Sequence, residues 1–235
     1  MLESLQMDFR ALTNSKRARL LARFFKTGKG QYGEGDKFLG IMVPEQRNLA
    51  RKYQDLSLVD LQRLLNSGFH EQRLTALFIL IFQYQKAKKN AILRQEIVNF
   101  YLKNTKNINN WDLVDLSAPK ILGDFLLNND RKILYAFAKS RDLWERRIAV
   151  LATFAFIKEN QFADALKISE LLLEDKHDLI HKAVGWMLRE IGKKDLQVEE
   201  IFLKKHCQSM PRTMLRYAIE KFEPVKKSFY MGKRA

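Results

Sequence analysis

Arg147-Ile148-Ala149-Val150-Leu151 sets one basic residue ahead of a run of small and branched apolar side chains. The pattern returns at Lys182-Ala183-Val184-Gly185-Trp186 and stands earlier at Arg73-Leu74-Thr75-Ala76-Leu77. Asp112 sits midway: it precedes Arg147 by 35 residues, and Arg147 precedes Lys182 by another 35. Arg73 lies 39 residues before Asp112, and Arg212 lies 30 after Lys182. Recurrence at such intervals, with two helices per unit, is the signature of HEAT- or armadillo-type arrays. The register is loose, so an irregular helical bundle is the competing arrangement.

Working outward, nearly every segment reads as helix. Residues 2–12 and 16–26 carry apolar side chains at helical spacing, with Leu20, Leu21, Phe24 and Phe25 forming a stripe. Pro44 opens a helix to residue 53, in the first-turn position that suits it. Ser57 caps another to residue 65, which Gly68 ends. Segment 71–85 is apolar on most sides, and 91–102 follows. Further helices are expected at 132–139, 143–157, 162–173, 179–191, 198–205 and 213–222. No alternation of period two is sustained. The expectation is an all-α chain, a right-handed α-solenoid of HEAT/armadillo-like repeats. It forms one domain over residues 1–235, with a basic, flexible tail over about 224–235.

Composition narrows the function. The chain has 235 residues, 46% of them hydrophobic, and a formal charge of +15. That excess of Lys and Arg points to polyanions, nucleic acid or an anionic membrane surface. Cys207 is the single cysteine, so no intrachain disulfide and no cysteine cluster for zinc is possible. The longest apolar run, 76–82, is far short of a membrane span. A cytoplasmic, monomeric protein without membrane attachment is expected. Gly28-Lys29-Gly30-Gln31-Tyr32-Gly33 matches the dinucleotide fingerprint in letters only. The fingerprint requires a strand before it, and here a helix precedes. A flexible basic loop is the expected structure.

The chemistry concentrates in Asn109-Asn110-Trp111-Asp112-Leu113-Val114-Asp115-Leu116-Ser117-Ala118-Pro119. On a helix, Trp111 and Asp115 share one face, one turn apart, while Asp112 is rotated about 100° away. The two asparagines can cap the turn. A carboxylate beside an indole suits a flat or cationic group. The plain alternatives are a core Trp and a capping Asp. The repeat offset sets Asp115, Arg147 and Trp186 at similar points of successive units, where they can converge on one groove. Trp144 reads as packing. Arg146 and Arg147 read either as a solvated face or as a phosphate clamp, since Arg offers a bidentate fork. His177 and His181 are four apart, but no third ligand follows the zincin pattern, so no metal is expected. No serine elbow or Cys–His pair stands out.

Several blocks together resemble the DNA alkylation repair glycosylases of the AlkD type. They are Phe38-Leu39-Gly40-Ile41 with Pro44 and Arg47; Trp111-Asp112-Leu113-Val114-Asp115 with Leu122-Gly123-Asp124; Trp144-Glu145-Arg146-Arg147; and Lys182-Ala183-Val184-Gly185-Trp186 with Leu188-Arg189-Glu190. The likeness runs from about Leu20 to Phe222. It implies a HEAT-like solenoid that takes duplex DNA in a concave groove and cleaves the N-glycosidic bond of N3- and N7-alkylated purines, with no cofactor. By motif position, Trp111, Asp115 and Trp186 are the implied active-site trio, and Arg147 an implied contact to the DNA backbone. The resemblance further implies chemistry at the sugar while the base stays stacked. Two other readings keep the fold and change the function: a non-catalytic binder of DNA structures, and a protein-binding helical scaffold.

Overall fold

The structure, a computed structural model, describes residues 1–232. Among them no strand forms; the nearest approach is a single parallel bridge between Lys37 and Phe69. The all-α helical-repeat fold is the one the periodicity predicts. The chain divides into two compact units, Met1–Leu113 and Val114–Ala235. The division falls within the helix Trp111–Ser117.

The first unit runs α1 (Leu2–Leu12), α2 (Ser15–Phe24), α3 (Val43–Lys52), α4 (Leu58–Leu65), α5 (His70–Lys86) and α6 (Ala91–Lys103). Their starts follow capping chemistry. Asn14, Ser57 and Asn90 each accept a first-turn backbone N–H, from Arg17, Asp60 and Leu93. α5 is the core helix, with Leu74, Leu77, Ile79 and Leu80 buried, and α3 and α4 pack against it. The stripe on α2 is only partly covered, Phe25 being its buried member. Leu20 and Phe24 stay about two-thirds exposed, at 65% and 64%.

Between α2 and α3 the chain forms no helix, and one buried carboxylate gathers three of its backbone N–H groups. Glu71, in the first turn of α5, is buried. Its carboxylate accepts the backbone N–H groups of Leu39 (2.9 Å), Gly40 (2.8 Å) and Ile41 (3.3 Å). Gly40 adopts φ +80°, and a Cβ there would stand 2.1 Å from the Asn14 carbonyl oxygen. Only glycine meets both demands. The glycine-rich segment itself is tied by local bonds, Gly28 N–H to Gln31 Oε1 and Gly30 N–H to Glu34 Oε2. No strand precedes it, so the fingerprint context is absent.

The second unit opens inside α7 (Trp111–Ser117) and continues through α8 (Asp124–Leu126), α9 (Lys132–Ala138), α10 (Leu143–Lys158), α11 (Ala163–Leu171), α12 (Asp178–Lys194), α13 (Leu196–His206), α14 (Arg212–Ala218) and α15 (Pro224–Gly232). α10 and α12 form its core, burying Ile148, Leu151 and Phe156 on one and Val184, Met187 and Leu188 on the other. α14 packs on α12 at Gly185, where an added Cβ would lie 2.3 Å from the Met214 carbonyl oxygen. The region expected as a flexible tail is corrected over 224–232, where it forms α15. Its charges masked an apolar anchor: Tyr230 is buried, its ring 5.7 Å from Phe222. The last three positions of that expected tail, 233–235, lie outside the described residues. No described helix is long and apolar enough to cross a membrane.

Glu71→Gln tests the role of the buried carboxylate. It keeps one acceptor oxygen and turns an amide NH2 toward backbone donors. The expected loss is about 2–3 kcal/mol, the range for hydrogen bonds to a charged group, read from the urea midpoint.

Candidate active site

α7 begins where Asn110 accepts the Trp111 backbone N–H through its side-chain oxygen at 2.9 Å. It ends in a π turn, Pro119–Gly123, closed by Gly123 N–H on the Ala118 carbonyl at 2.8 Å. The cause is local. Pro119 has no N–H to donate to the carbonyl four residues back, and the chain relaxes to the wider spacing. Asp115 therefore sits one turn ahead of a helix irregularity that its own sequence imposes.

Asp115 meets Arg147 of α10 in a two-pronged ion pair. Arg147 Nε donates to Asp115 Oδ1 and Nη2 to Oδ2, both at 2.8 Å. The third nitrogen, Nη1, donates to the Leu179 carbonyl of α12. The side chains are 5% and 13% exposed, so the guanidinium is enclosed and the carboxylate nearly so. Arg146, its neighbour, turns to a separate partner, Asp175, at 2.7 Å. The two arginines that read as one basic pair serve two different carboxylates.

Trp186 lies on α12, the helix that Arg147 reaches. It is half-buried; its Nε1–H donates to Glu190 at 3.0 Å, and its ring lies 6.0 Å from Phe154 of α10. Trp111 is half-buried in the first unit. Its indole stacks on Phe25 at 5.4 Å and 18°, and meets the edge of Phe24 at 6.1 Å. Trp144 is buried, in keeping with packing. His177 caps α12 by accepting Leu179 N–H, and His181 bonds the Asp175 carbonyl.

A helical-repeat protein that places a carboxylate, an arginine fork and half-buried indoles on its helices is the class these observations define. The family described as DNA alkylation repair enzyme matches residues 5–222, and the chain belongs to it. Its role is therefore in DNA alkylation repair. No curated protein matches the sequence. Among solved structures, one described as a predicted DNA alkylation repair enzyme from Enterococcus faecalis is similar, with a TM-score of 0.72 and 19% identity over 90% of this chain and 97% of that one. A second, AlkD2 from Streptococcus mutans, shares 20% identity over 89% of this chain and 98% of that one, with a TM-score of 0.56. At such identities the likeness is one of fold.

One cluster in the first unit escapes the sequence reading. His70 is buried at the first position of α5. Its Nε2–H donates to Asp112 at 2.8 Å and its Nδ1–H faces Asp36 at 3.3 Å. Asp36 also accepts Arg73 Nη2 at 2.6 Å and Asn110 Nδ2 at 3.1 Å. The sequence turns Asp112 away from Trp111 and Asp115 without naming its partner. The only signal was Arg73, marked by the repeat.

Burial works against a charged His70, but the adjacent Asp112 carboxylate and the bonds to Asp112 and Asp36 outweigh it, and its pKa is pushed up to about 9. The sign follows from linkage. A pKa raised from 6.5 gives stability that is complete below about pH 6.5 and is lost as pH rises through about 9. The full contribution is on the order of 3 kcal/mol. The urea midpoint of the wild type is expected to fall between pH 7 and 9.5, and that of His70→Gln to be lower at pH 7 and to lack this fall.

Proposed function

We propose that the protein is an alkylpurine DNA glycosylase: it binds duplex DNA and hydrolyses the N-glycosidic bond of N3- and N7-alkylated purines. The observation that carries this is the Asp115 carboxylate held by the two-pronged Arg147 fork, in a chain of the DNA alkylation repair enzyme family. Alkylation leaves the purine cationic and already a good leaving group. What remains is the positive charge that develops on the deoxyribose as the bond breaks. Asp115 supplies the opposite charge and orients the attacking water. Trp111 and Trp186 carry the role of aromatic walls for the sugar, where a cationic centre is attracted to the ring face.

The ion pair changes the magnitude. A bare carboxylate 4 Å from a unit charge at an effective dielectric of 20 is worth about 4 kcal/mol, roughly a thousandfold in rate. Arg147 opposes part of that field. In return, the pair holds the Asp115 carboxylate in one orientation. Arg147, assigned from the sequence to the DNA backbone, gains a positioning task; any phosphate contact draws on the hydrogens its nitrogens keep.

The exposed lysines, among them Lys86, Lys88 and Lys89, supply affinity through counterion release. In this reading the protein acts as a cytoplasmic monomer without metal or cofactor.

Free-base release from duplex DNA carrying N7-methylguanine is the direct test. Wild type is expected to release the base. Asp115→Asn is expected to slow release by about two to three orders of magnitude, as loss of one preorganised electrostatic group does, while still binding DNA. Undiminished release by a folded Asp115→Asn protein would remove the assigned role. Binding without any release by the wild type would favour a non-catalytic DNA-structure binder. Affinity is expected to fall with a log–log salt slope of several units; a flat response would instead favour a protein scaffold.

A further inference from the structure

We propose that His70 is a positioning residue for Trp111: it clamps the loop ahead of α3 to the first turn of α7 and sets the plane of the indole. The inference rests on the reading that Trp111 takes part in the reaction.

His70 reaches Trp111 by two routes. The first runs along the backbone. Asp112, which accepts His70 Nε2–H at 2.8 Å, is the residue after Trp111, and its other oxygen accepts the Leu113 N–H at 2.9 Å. Asn110, the residue before Trp111, donates to Asp36, the second partner of His70. Both backbone neighbours of Trp111 are thereby tied to the histidine cluster. The second route runs through rings. The imidazole lies 4.8 Å from Phe25 and 4.8 Å from Phe38, these two stack at 5.1 Å, and Phe25 stacks on Trp111. The arrangement is a continuous column from a buried ring to a half-buried one.

The clamp needs the charged form. An imidazolium donates from both nitrogens, while neutral imidazole donates from one and must leave Asp36 or Asp112 without its donor. The surroundings hold that charge in balance. Asp36 faces His70 from the loop and Asp112 from α7, while Arg73 and Glu71 stand on α5 itself; Glu71 is occupied by the loop backbone and Arg73 by Asp36. A cation at a helix N-terminus is disfavoured by the helix dipole, so two carboxylates around one histidine are the arrangement that keeps it charged.

The test follows Trp111 fluorescence in a Trp144→Phe/Trp186→Phe background, from pH 7.5 to 10, with circular dichroism to confirm folding. The emission is expected to titrate with a midpoint near 9. His70→Gln in the same background is expected to show no titration and to resemble the high-pH form. In the otherwise native chain, His70→Gln is expected to lower base release from N7-methylguanine DNA about tenfold, with DNA affinity changed less than twofold. Emission that stays flat to pH 10, or base release that falls in His70→Gln while Trp111 emission is unchanged, would overturn the proposal. If His70→Gln does not fold, the titration of the histidine-bearing chain decides alone. A Trp111 that titrates in a protein releasing no base at any pH would support the clamp and refute the glycosylase reading instead.

Discussion

The bidentate bond between Arg147 and Asp115 is the constraint on which the functional reading turns. An enclosed guanidinium without a partner, or a carboxylate stripped of one, costs several kcal/mol. Neither residue can therefore be understood alone. The same guanidinium reaches the Leu179 carbonyl, so one side chain of α10 fixes Asp115 of α7 and the first turn of α12, the helix that carries Trp186. Packing enforces the arrangement from the far side: at Gly185 the backbone of α14 comes too close for any side chain. Trp186 is thus set on a helix held on both faces, and its indole needs only Glu190 and Phe154 to settle.

The Asp–Arg device recurs. Arg73 with Asp36, Arg131 with Asp164, Arg146 with Asp175 and Arg189 with Glu220 join residues 37, 33, 29 and 31 apart. These separations are close to the interval between repeats. Asp36, Asp164 and Asp175 are largely enclosed by these pairings. With 42 basic and 27 acidic residues in the chain, much of the excess positive charge is left to side chains such as Lys88 and Lys89, which face solvent. Structural pairing and a surface suited to polyanions are two results of one charge distribution.

The range over which each interaction acts decides what is legible in the sequence. Helix positions were legible because apolar spacing and caps act over a few residues: Ser57, Pro44 and the runs beginning at 91, 132 and 143 mark helices that form. The offset of Asp115 and Arg147 was legible as a repeat, though not the bond between them, because an interval gives neighbourhood and not orientation. Arg147 read as a clamp for phosphate since nothing local distinguishes a paired arginine from a solvated one. The stripe on α2 meets the same limit: spacing shows that Leu20 and Phe24 share a face, not whether anything covers it. Helix α15 was missed because its lysines outweigh Tyr230, the residue that anchors it.

The histidine cluster marks the limit most clearly. Asp36, His70 and Asp112 are far apart in the chain and belong to a loop and two helix starts, so no periodicity links them. Yet each has a local reason. Glu71 pins the loop that follows Asp36; the start of α5 sets His70; and the 100° turn between successive helical residues sends Asp112 away from Trp111. Helix geometry thereby dedicates Asp112 to holding the start of the helix. A short helix carrying two candidate reactive groups has little stability of its own. Its first turn is secured through Asp112 and its second through Asp115, each by a charged partner from a different helix.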